Sequence, residues 1–377
     1  IIIDEKDNTK ALNSLHEAFF ESNSKNVHLF ITGVGNVGSN LIKQISDQKK
    51  SLEDNLNLKL KVMGLSNSKK MILSETEIDL NNWKSKLDSS DFSSDNDKFL
   101  DFSVNQNLRN SLFIDNTANS DITINYGNYL KNGIGIVTCN KIACSDRLEK
   151  YLELKSLSRI HNAPFLYETN VGAALPIINT LNNLVNSGDR IIKIEAILSG
   201  TLNYIFNNFN KENSFYEVVK KAVDLGYTEP DPKIDLCGID VSRKILILAR
   251  ESGKEIEFND VQNQSFLPNE SVKTKSKKEF LESLKNNNDH FNKILNKALE
   301  NNSRLKYVAS LIDGKASVSL KEISEDHPFY NVEGSDNITV FHTDRYKDSP
   351  LIVKGAGAGG EFTASGVFAD IIKASKK

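Results

Sequence analysis

A lysine and several carboxylates occur close together in residues 226–244. Glu229, Asp235, Asp240 and Lys244 lie in this stretch, and two prolines stiffen the loop that precedes a strongly apolar helix. Asp240 can cap that helix, and Lys244, four positions later, shares its face. A lysine held beside carboxylates can have its proton affinity tuned, as general acid–base chemistry requires. A capped helix with a surface ion pair would show the same pattern, and the stretch alone favours that simpler interpretation.

A glycine-rich turn at residues 33–38 could bind a dinucleotide. It follows an apolar run and precedes apolar residues at helical spacing, so a strand, a turn and a helix succeed one another. In such a turn the glycines permit tight geometry and close approach of a pyrophosphate, which the helix N-terminus attracts. The candidate cofactor-binding residues are Gly33, Gly35, Asn36, Val37 and Gly38. The alternative is a glycine-rich loop that serves only tight packing.

The end of the next predicted strand bears on the choice of cofactor. An acidic residue is expected there for NAD, because it would accept the ribose hydroxyls. The strand instead runs into Ser66, and Lys69 and Lys70 follow shortly after. Hydroxyl and ammonium groups favour a 2′-phosphate, so we predict NADP rather than NAD. Two lysines in a solvated turn would give the same pattern.

Elements that alternate along the chain must position these residues. Apolar runs predict strands at Val27–Thr32, Leu58–Leu65, Leu112–Asp115 and Gly135–Thr138. Helical segments separate them, which is typical of a parallel sheet built from βαβ units. The fold class is therefore α/β, with a Rossmann-type nucleotide-binding domain.

A second domain, of α+β type, is predicted from the change in pattern after about residue 155. It contains a strand at Ile191–Leu198, helices at Ser214–Leu225 and Val241–Glu251, and a hairpin around Asp313 and Gly314. Residues 271–304 are polar enough to predict solvated helices. The predicted bounds are 1–25 for a linker, 26–155 for the nucleotide-binding domain, 156–345 for the catalytic and dimerisation domain, and 346–377 for a segment returning to the first domain.

Composition excludes several classes of function. The 377 residues carry 47 Lys and Arg against 50 Asp and Glu, and a net charge of −3 gives no basic field for nucleic acid. No run approaches the roughly 20 apolar residues of a membrane span. Three cysteines, Cys139, Cys144 and Cys237, and scattered histidines predict reduced thiols and no transition-metal site. We expect a cytoplasmic protein.

Several ordered motifs together make the chain resemble a known family, the homoserine dehydrogenases. The resemblance is specifically to the dehydrogenase half of the bifunctional aspartokinase/homoserine dehydrogenases, and the amphipathic segment with Leu12, Leu15, Phe19 and Phe20 resembles their linker. Fusion to an aspartokinase in the full-length protein is therefore expected. The motifs that carry the resemblance are Gly33–Gly38, Asp115–Thr117, Thr138–Lys141, Glu168–Ala173, Leu198–Tyr204, Glu229–Lys244 and Lys354–Gly359.

The resemblance implies an activity and a set of site residues. The reaction would be the reversible NAD(P)H-dependent reduction of L-aspartate 4-semialdehyde to L-homoserine, in threonine, methionine and isoleucine biosynthesis. Lys244 would be the general acid, Asp240 would orient it, and Glu229 would bind substrate with Asp240. The remaining implied residues are Asp235 in the same polar network, Lys141 for substrate and cofactor, and Thr117, Gly226 and Gly359 for the cofactor.

The family also implies a monovalent cation, usually Na⁺, and a homodimer. The cation ligands would be the Glu168 side chain and the carbonyls of Val171, Ala173 and Leu175, which suits a hard cation. A plain strand-to-helix turn would give the same sequence. Three residues depart from the family pattern: Cys139 replaces a proline, Ala174 a glycine and Ile234 a carboxylate.

Two other functions remain open. A phosphorylating semialdehyde dehydrogenase would need Cys139 or Cys237 as an activated thiolate. A catalytically silent NAD(P)-binding regulatory module would keep the fold but not the reaction. Neither cysteine lies in a recognisable nucleophile motif, and the presence of both Asp240 and Lys244 argues against the silent module.

Overall fold

The computed structural model describes residues 24–376 and, before them, residues 2–5, 8, 11, 12, 15 and 19. The chain forms two compact units. The first contains the residues up to Cys144, Glu149–Asn170 and the chain from Gly360 onward, and the second contains Ser145–Leu148 and Val171–Gly359. The linker helix predicted around Leu12 to Phe20 lies largely outside the described residues.

A six-stranded sheet organises the first unit. Its strands are β1 (Lys25–Thr32), β2 (Leu58–Ser66), β3 (Met71–Leu73), β4 (Ser111–Asp115), β5 (Gly135–Thr138) and β6 (Phe165–Leu166). They lie in the order β3-β2-β1-β4-β5-β6, and every neighbouring pair is parallel except β2 with β3. The predicted Rossmann-type fold is confirmed. The strands β3 and β6 were not predicted, because two or three residues carry no readable periodicity.

The second unit is built on another six-stranded sheet. Its strands are β7 (Ile191–Ile197), β8 (Gln262–Gln264), β9 (Arg304–Ile312), β10 (Lys315–Ile323), β11 (Asp336–Thr343) and β12 (Leu351–Ala356). The order is β12-β11-β7-β9-β10-β8, antiparallel except for β8 with β10. The predicted hairpin joins β9 to β10, and its turn residues Asp313 and Gly314 both have positive φ, 49° and 78°. This mixed sheet agrees with the predicted α+β class.

The helices flank the two sheets. They are α1 (Asn36–Leu56), α2 (Trp83–Asp88), α3 (Asn96–Asn105), α4 (Ser120–Thr123), α5 (Tyr126–Lys131), α6 (Ile142–Ser145), α7 (Leu148–Ile160), α8 (Ile177–Asn186), α9 (Gly200–Asn208), α10 (Phe215–Asp224), α11 (Pro232–Leu236), α12 (Ile239–Glu251), α13 (Asn269–Val272), α14 (Lys277–Asn286), α15 (Asn288–Glu300) and α16 (Gly360–Ser375). Short 3₁₀ turns occur at Glu168–Asn170 and Phe258–Asp260. Of the helices in the described residues, none combines the length and apolar character that a membrane span needs.

The core of the first unit joins its first and last elements. Residues of β1 such as Leu29 and Ile31 are fully buried, and Leu41 of α1 packs in the same cluster. Val367 and Ile371 of α16 complete it. Strands buried on both faces read as continuous apolar runs, which is why β1 was predictable. The C-terminal helix thus packs onto the nucleotide-binding sheet.

The polar stretch of residues 271–304 forms the predicted solvated helices, in which most residues are exposed. Several of its apolar side chains are buried, including Phe280, Leu284 and Phe291, whereas Val272 and Leu299 are exposed. The ring of Phe291 stacks on Phe215 of α10 with centroids 4.1 Å apart. Sparse apolar residues at helical spacing are therefore enough to dock α14 and α15.

Candidate active site

Helix α12 begins at Ile239, one residue before Asp240. Gly238 is its N-cap, with φ at 70°, so the prediction that Asp240 caps the helix is wrong. A Cβ at Gly238 would lie 2.0 Å from the Tyr307 hydroxyl, and only glycine fits there. Asp240 lies instead in the first turn, where the helix dipole favours a carboxylate.

Lys244 is held at one position by two oxygens. Its Nζ lies 2.8 Å from Oδ2 of Asp240 and donates a hydrogen bond of 2.7 Å to the carbonyl of Leu198. The Lys244 side chain is 11% exposed and that of Asp240 is 46% exposed. The pair is therefore not the exposed ion pair of the simpler interpretation. The Asp240 carboxylate is accessible to a substrate, and the Leu198 carbonyl and Asp240 together fix the Lys244 ammonium.

Two more carboxylates of the same loop lie together. The backbone N–H of Glu229 donates to Oδ2 of Asp235 at 2.9 Å. Burial, together with the charges of Glu229 and Asp240, raises the pKa of the Asp235 carboxyl to about 6. Carboxylates that raise each other's pKa attract a cationic group, and an ammonium is the natural partner.

The loop before these carboxylates rests on α9. The Thr201 hydroxyl donates to the carbonyl of Tyr227 at 2.5 Å, and the rings of Tyr204 and Tyr227 pack with centroids 4.7 Å apart. Gly226 has a φ of 72° at the turn. Thr201 and the Leu198 carbonyl were missed as site groups, although both lie in the motif Leu198–Tyr204, because the sequence does not reveal which carbonyl a buried lysine reaches.

The glycine-rich turn has the geometry that a dinucleotide needs. Gly33 has a φ of 83°, and a Cβ at Gly38 would lie 2.1 Å from the Gly33 carbonyl oxygen. At Gly35 no heavy atom of the described residues lies within 4 Å of a Cβ position, so the backbone is open to a ligand. Asn36 and Val37 start α1, and in the described chain no side chain caps this helix and no acid occupies its first turn. These features fit a pyrophosphate.

A buried polar network lies at the ends of β4 and β5. Asp115 is fully buried and accepts hydrogen bonds from the Thr117 N–H at 2.7 Å, the Tyr126 hydroxyl at 2.7 Å and the Asn140 amide at 3.0 Å. Burial raises the pKa of Asp115. This network fixes Thr117 and the segment before Lys141 at the carboxyl edge of the sheet. Asp115 was noted in the sequence only as part of a motif.

Beside the turn, the side-chain amide of Asn116 has no hydrogen-bond partner within the part of the chain that the structure describes. Both its oxygen and its nitrogen are buried without a hydrogen bond among the described residues. It lies close to the glycines, since a Cβ at Gly38 would be 3.4 Å from its nitrogen. A polar ligand at this edge would satisfy the amide.

The two lysines after β2 have different environments. Lys70 donates from Nζ to the carbonyls of Asp88 at 2.9 Å and Ser90 at 2.8 Å. Lys69 is exposed. Ser66 is buried, and its hydroxyl is paired with that of Thr32. Lys69 is therefore better placed than Lys70 to bind an anionic ligand, whereas Lys70 stabilises the backbone near Asp88 and Ser90.

The predicted cation ligands fall in both units. Glu168 belongs to the first unit, is buried, and its N–H donates to Oδ2 of Asp370 at 2.9 Å. Val171, Ala173 and Leu175 belong to the second unit, where Gly172 and Ala173 have φ of 82° and 53°. Consecutive left-handed residues turn the backbone sharply there. The cation site itself stays a prediction.

The cysteines do not resemble activated nucleophiles. Burial raises the pKa of the Cys139 thiol to about 12, and burial also raises that of Cys237. Cys144 is buried. A thiol with a raised pKa is protonated at neutral pH, and the thiolate is the nucleophile. This geometry disfavours a cysteine-dependent dehydrogenase.

Comparisons with known proteins agree on one family. The family model described as homoserine dehydrogenase matches residues 176–372. The one described as homoserine dehydrogenase, NAD binding domain, matches residues 33–168. The two matches cover both the lysine and carboxylate cluster and the glycine-rich turn.

Individual relatives give the same result. The chain is 42% identical to the bifunctional aspartokinase/homoserine dehydrogenase 1, chloroplastic, of Zea mays, over 100% of this chain and 41% of that protein. It is 36% identical to the homoserine dehydrogenase of Schizosaccharomyces pombe, over 92% of this chain and 95% of that protein. A solved hyperthermophilic archaeal homoserine dehydrogenase in complex with NADPH is 25% identical, with a TM-score of 0.72, over 93% of this chain and 98% of that chain. The chain thus spans less than half of the maize relative.

Proposed function

The chain belongs to the homoserine dehydrogenase family, and we propose that it catalyses the reversible NAD(P)H-dependent interconversion of L-aspartate 4-semialdehyde and L-homoserine. One observation carries the proposal. The Lys244 side chain is largely buried, and Asp240 and the Leu198 carbonyl hold its ammonium. A proton donor fixed in this way can act repeatedly on one substrate oxygen.

Lys244 is the proposed general acid. In the reducing direction its Nζ gives a proton to the aldehyde oxygen as the carbonyl becomes an alcohol, and in the oxidising direction it takes that proton back. Asp240, at 2.8 Å, balances the ammonium charge before the transfer. A bound nicotinamide supplies or accepts the hydride.

The carboxylates of the loop are the proposed site for the substrate ammonium. Glu229 and Asp235 are joined through a backbone hydrogen bond, and Asp240 follows on the next helix. With Asp235 ionised, these groups give a negative surface that complements an amino acid's ammonium. Lys141, at the carboxyl edge of the first sheet, is the proposed partner of substrate and nicotinamide.

NADP is the proposed cofactor, and NAD remains possible. The open backbone at Gly35 supports pyrophosphate binding, and the exposed ammonium of Lys69 supports binding of a 2′-phosphate. The relative solved with NADPH is consistent with this choice. Thr117, Gly226 and Gly359 remain proposed cofactor contacts.

Further proposals rest on the family alone. They are a monovalent cation, Na⁺, at Glu168, Val171, Ala173 and Leu175, a homodimer, and fusion to an aspartokinase. The names of the bifunctional relatives support the fusion. A cytoplasmic location stays a prediction from sequence, and several plant relatives are named chloroplastic.

The initial rate of NADPH and NADH oxidation with L-aspartate semialdehyde tests the activity. Wild type is compared with Lys244→Ala and with Lys244→Arg, which keeps the charge but does not release its proton near neutral pH. We expect both variants to lose about a hundredfold or more in kcat while still binding NADPH. A wild type that binds NADPH without turnover would favour the silent regulatory module, and an unchanged rate in Lys244→Ala would remove Lys244 from the chemistry.

A further inference from the structure

Helix α9 contacts two parts of the candidate active site, the proton donor Lys244 and the loop that leads to Glu229. Its N-cap is Ser199. The residue before the N-cap is Leu198, whose carbonyl accepts the hydrogen bond from Lys244. Thr201, in its first turn, holds the Tyr227 carbonyl of the loop that leads to Glu229. A shift of this helix would therefore move both the support of the proton donor and the carboxylate loop. The contacts that hold α9 in place should therefore affect the rate of catalysis.

A buried lysine anchors the helix from the sheet. Lys306, on β9, is 1% exposed. Its Nζ donates to Oδ1 of Asn203 at 3.3 Å, to Oδ1 of Asn207 and to the carbonyl of Val332 at 2.5 Å. An ammonium has three protons, so these three uncharged oxygens use all of them. Two of the three belong to α9.

The same two asparagines tie the helix to the loop before β11. The Asn203 amide donates to the carbonyls of Gly334 at 3.2 Å and Asp336 at 3.1 Å. The Asn207 amide donates to the Val332 carbonyl at 3.1 Å. Lys306 thus orients both amides, because an amide whose oxygen accepts from the ammonium must point its nitrogen at the loop.

The loop in turn presses on the start of the helix. A Cβ at Gly200 would lie 2.9 Å from the Ser335 carbonyl, so backbone meets backbone there. Gly200 directly follows Ser199, whose hydroxyl accepts from the Leu202 N–H at 3.1 Å. Lys306, the two asparagines and the loop before β11 therefore determine the position of the first turn of α9. They also determine the position of the Leu198 carbonyl before it.

We propose that Lys306 is a positioning residue for the reaction: through Asn203 and Asn207 it fixes α9 so that the Leu198 carbonyl presents Lys244 to the substrate. This inference rests on the proposed homoserine dehydrogenase activity. An ammonium is costly to bury among uncharged oxygens, and an apolar residue would fill the same space at lower cost. The lowered pKa of Lys306, about 8, reflects that cost, since burial disfavours its charge.

Lys306→Met tests the proposal, with Lys321→Met as the matched control. Lys321 lies directly opposite Lys306 on β10 and donates to the Ser310 hydroxyl at 2.9 Å. We expect Lys306→Met to lower kcat about ten- to a hundredfold, with KM for the aldehyde changed by less than about threefold. The pH profile of kcat should shift as well, because Lys244 loses a fixed acceptor. Lys321→Met should keep kcat and the profile of the wild type.

A second variant covers the case in which Lys306→Met does not fold. Asn203→Ser removes one acceptor of Lys306 and leaves Asn207 and Val332 in place. It should lower kcat and shift the pH profile in the same direction. A folded Lys306→Met or Asn203→Ser with the kcat and pH profile of the wild type overturns the positioning role. An inactive wild type overturns the proposed function itself, so the two failures are distinct.

Discussion

The backbone N–H of Glu229 donates a hydrogen bond of 2.9 Å to the side chain of Asp235. This contact joins the loop to α11, and the charge of Glu229 acts on the Asp235 carboxyl and raises its pKa. The hydrogen bond favours the ionised form of Asp235, while burial and the neighbouring charges oppose ionisation more strongly. The pKa of the Asp235 carboxyl thus depends on the same contacts that determine the conformation of the loop.

Substrate affinity should depend on pH through Asp235. Its pKa, raised to about 6, means that the carboxyl becomes neutral as the pH falls through 6 and no longer attracts an ammonium. We expect KM for L-homoserine to rise about three- to tenfold between pH 7 and pH 5. Asp235→Asn should have the high KM at both values. Asp224→Asn, at the exposed last residue of α10, should keep the wild-type dependence. A flat KM in the wild type would contradict this role.

Two glycines at opposite ends of α12 should differ in their tolerance of alanine. Both have left-handed φ, 70° at Gly238 and 81° at Gly253, but only Gly238 would also clash, with the Tyr307 hydroxyl. We expect Gly253→Ala to lower the free energy of unfolding by about 1–2 kcal/mol and Gly238→Ala by about 2–5 kcal/mol. Urea denaturation measures both. Equal losses would mean that Tyr307 moves aside.

The sequence predicted those parts of the site whose structure is determined by residues close together in the chain. The turn at Gly33 needs glycine for its φ and its close packing, and β5 forms at the residues predicted because a short apolar run is bounded by polar residues. The helix with Lys244 was visible from its apolar spacing. In each case the constraint and its cause lie within a few residues of one another.

Other parts depend on distant residues. β11 was not predicted, because buried Asn337 and Thr339 interrupt its apolar pattern. Lys306 reads as a surface residue of a strand until α9 is placed over it. Likewise, the different roles of Lys69 and Lys70 arise because the Lys70 ammonium binds the carbonyls of residues 88 and 90, which are brought near it only by folding. Local pattern cannot encode such partners.

Cofactor choice should respond to Lys69 and not to Lys70. Lys69 is exposed beyond β2, whereas the Lys70 ammonium is taken by the carbonyls of Asp88 and Ser90. We expect Lys69→Ala to weaken NADPH binding about three- to tenfold at low salt and to leave NADH binding unchanged. Fluorescence titration of both cofactors measures the ratio. If Lys70→Ala altered the ratio and Lys69→Ala did not, the assignment would be reversed.

Stability should rise with pH through Lys306. The pKa of Lys306 in the folded chain is about 8, lower than the 10.5 of an unperturbed lysine, because burial disfavours the ammonium. Between these values the unfolded chain binds the proton more tightly, so the contribution of Lys306 to the free energy of unfolding increases from pH 8 to pH 10.5. Arg304 and Lys354 add to the effect and Glu333 opposes it. Urea denaturation across this range should give a steeper rise for the wild type than for Lys306→Met. Parallel curves would show that the ammonium keeps its ordinary pKa, and its three hydrogen bonds would then compensate fully for its burial.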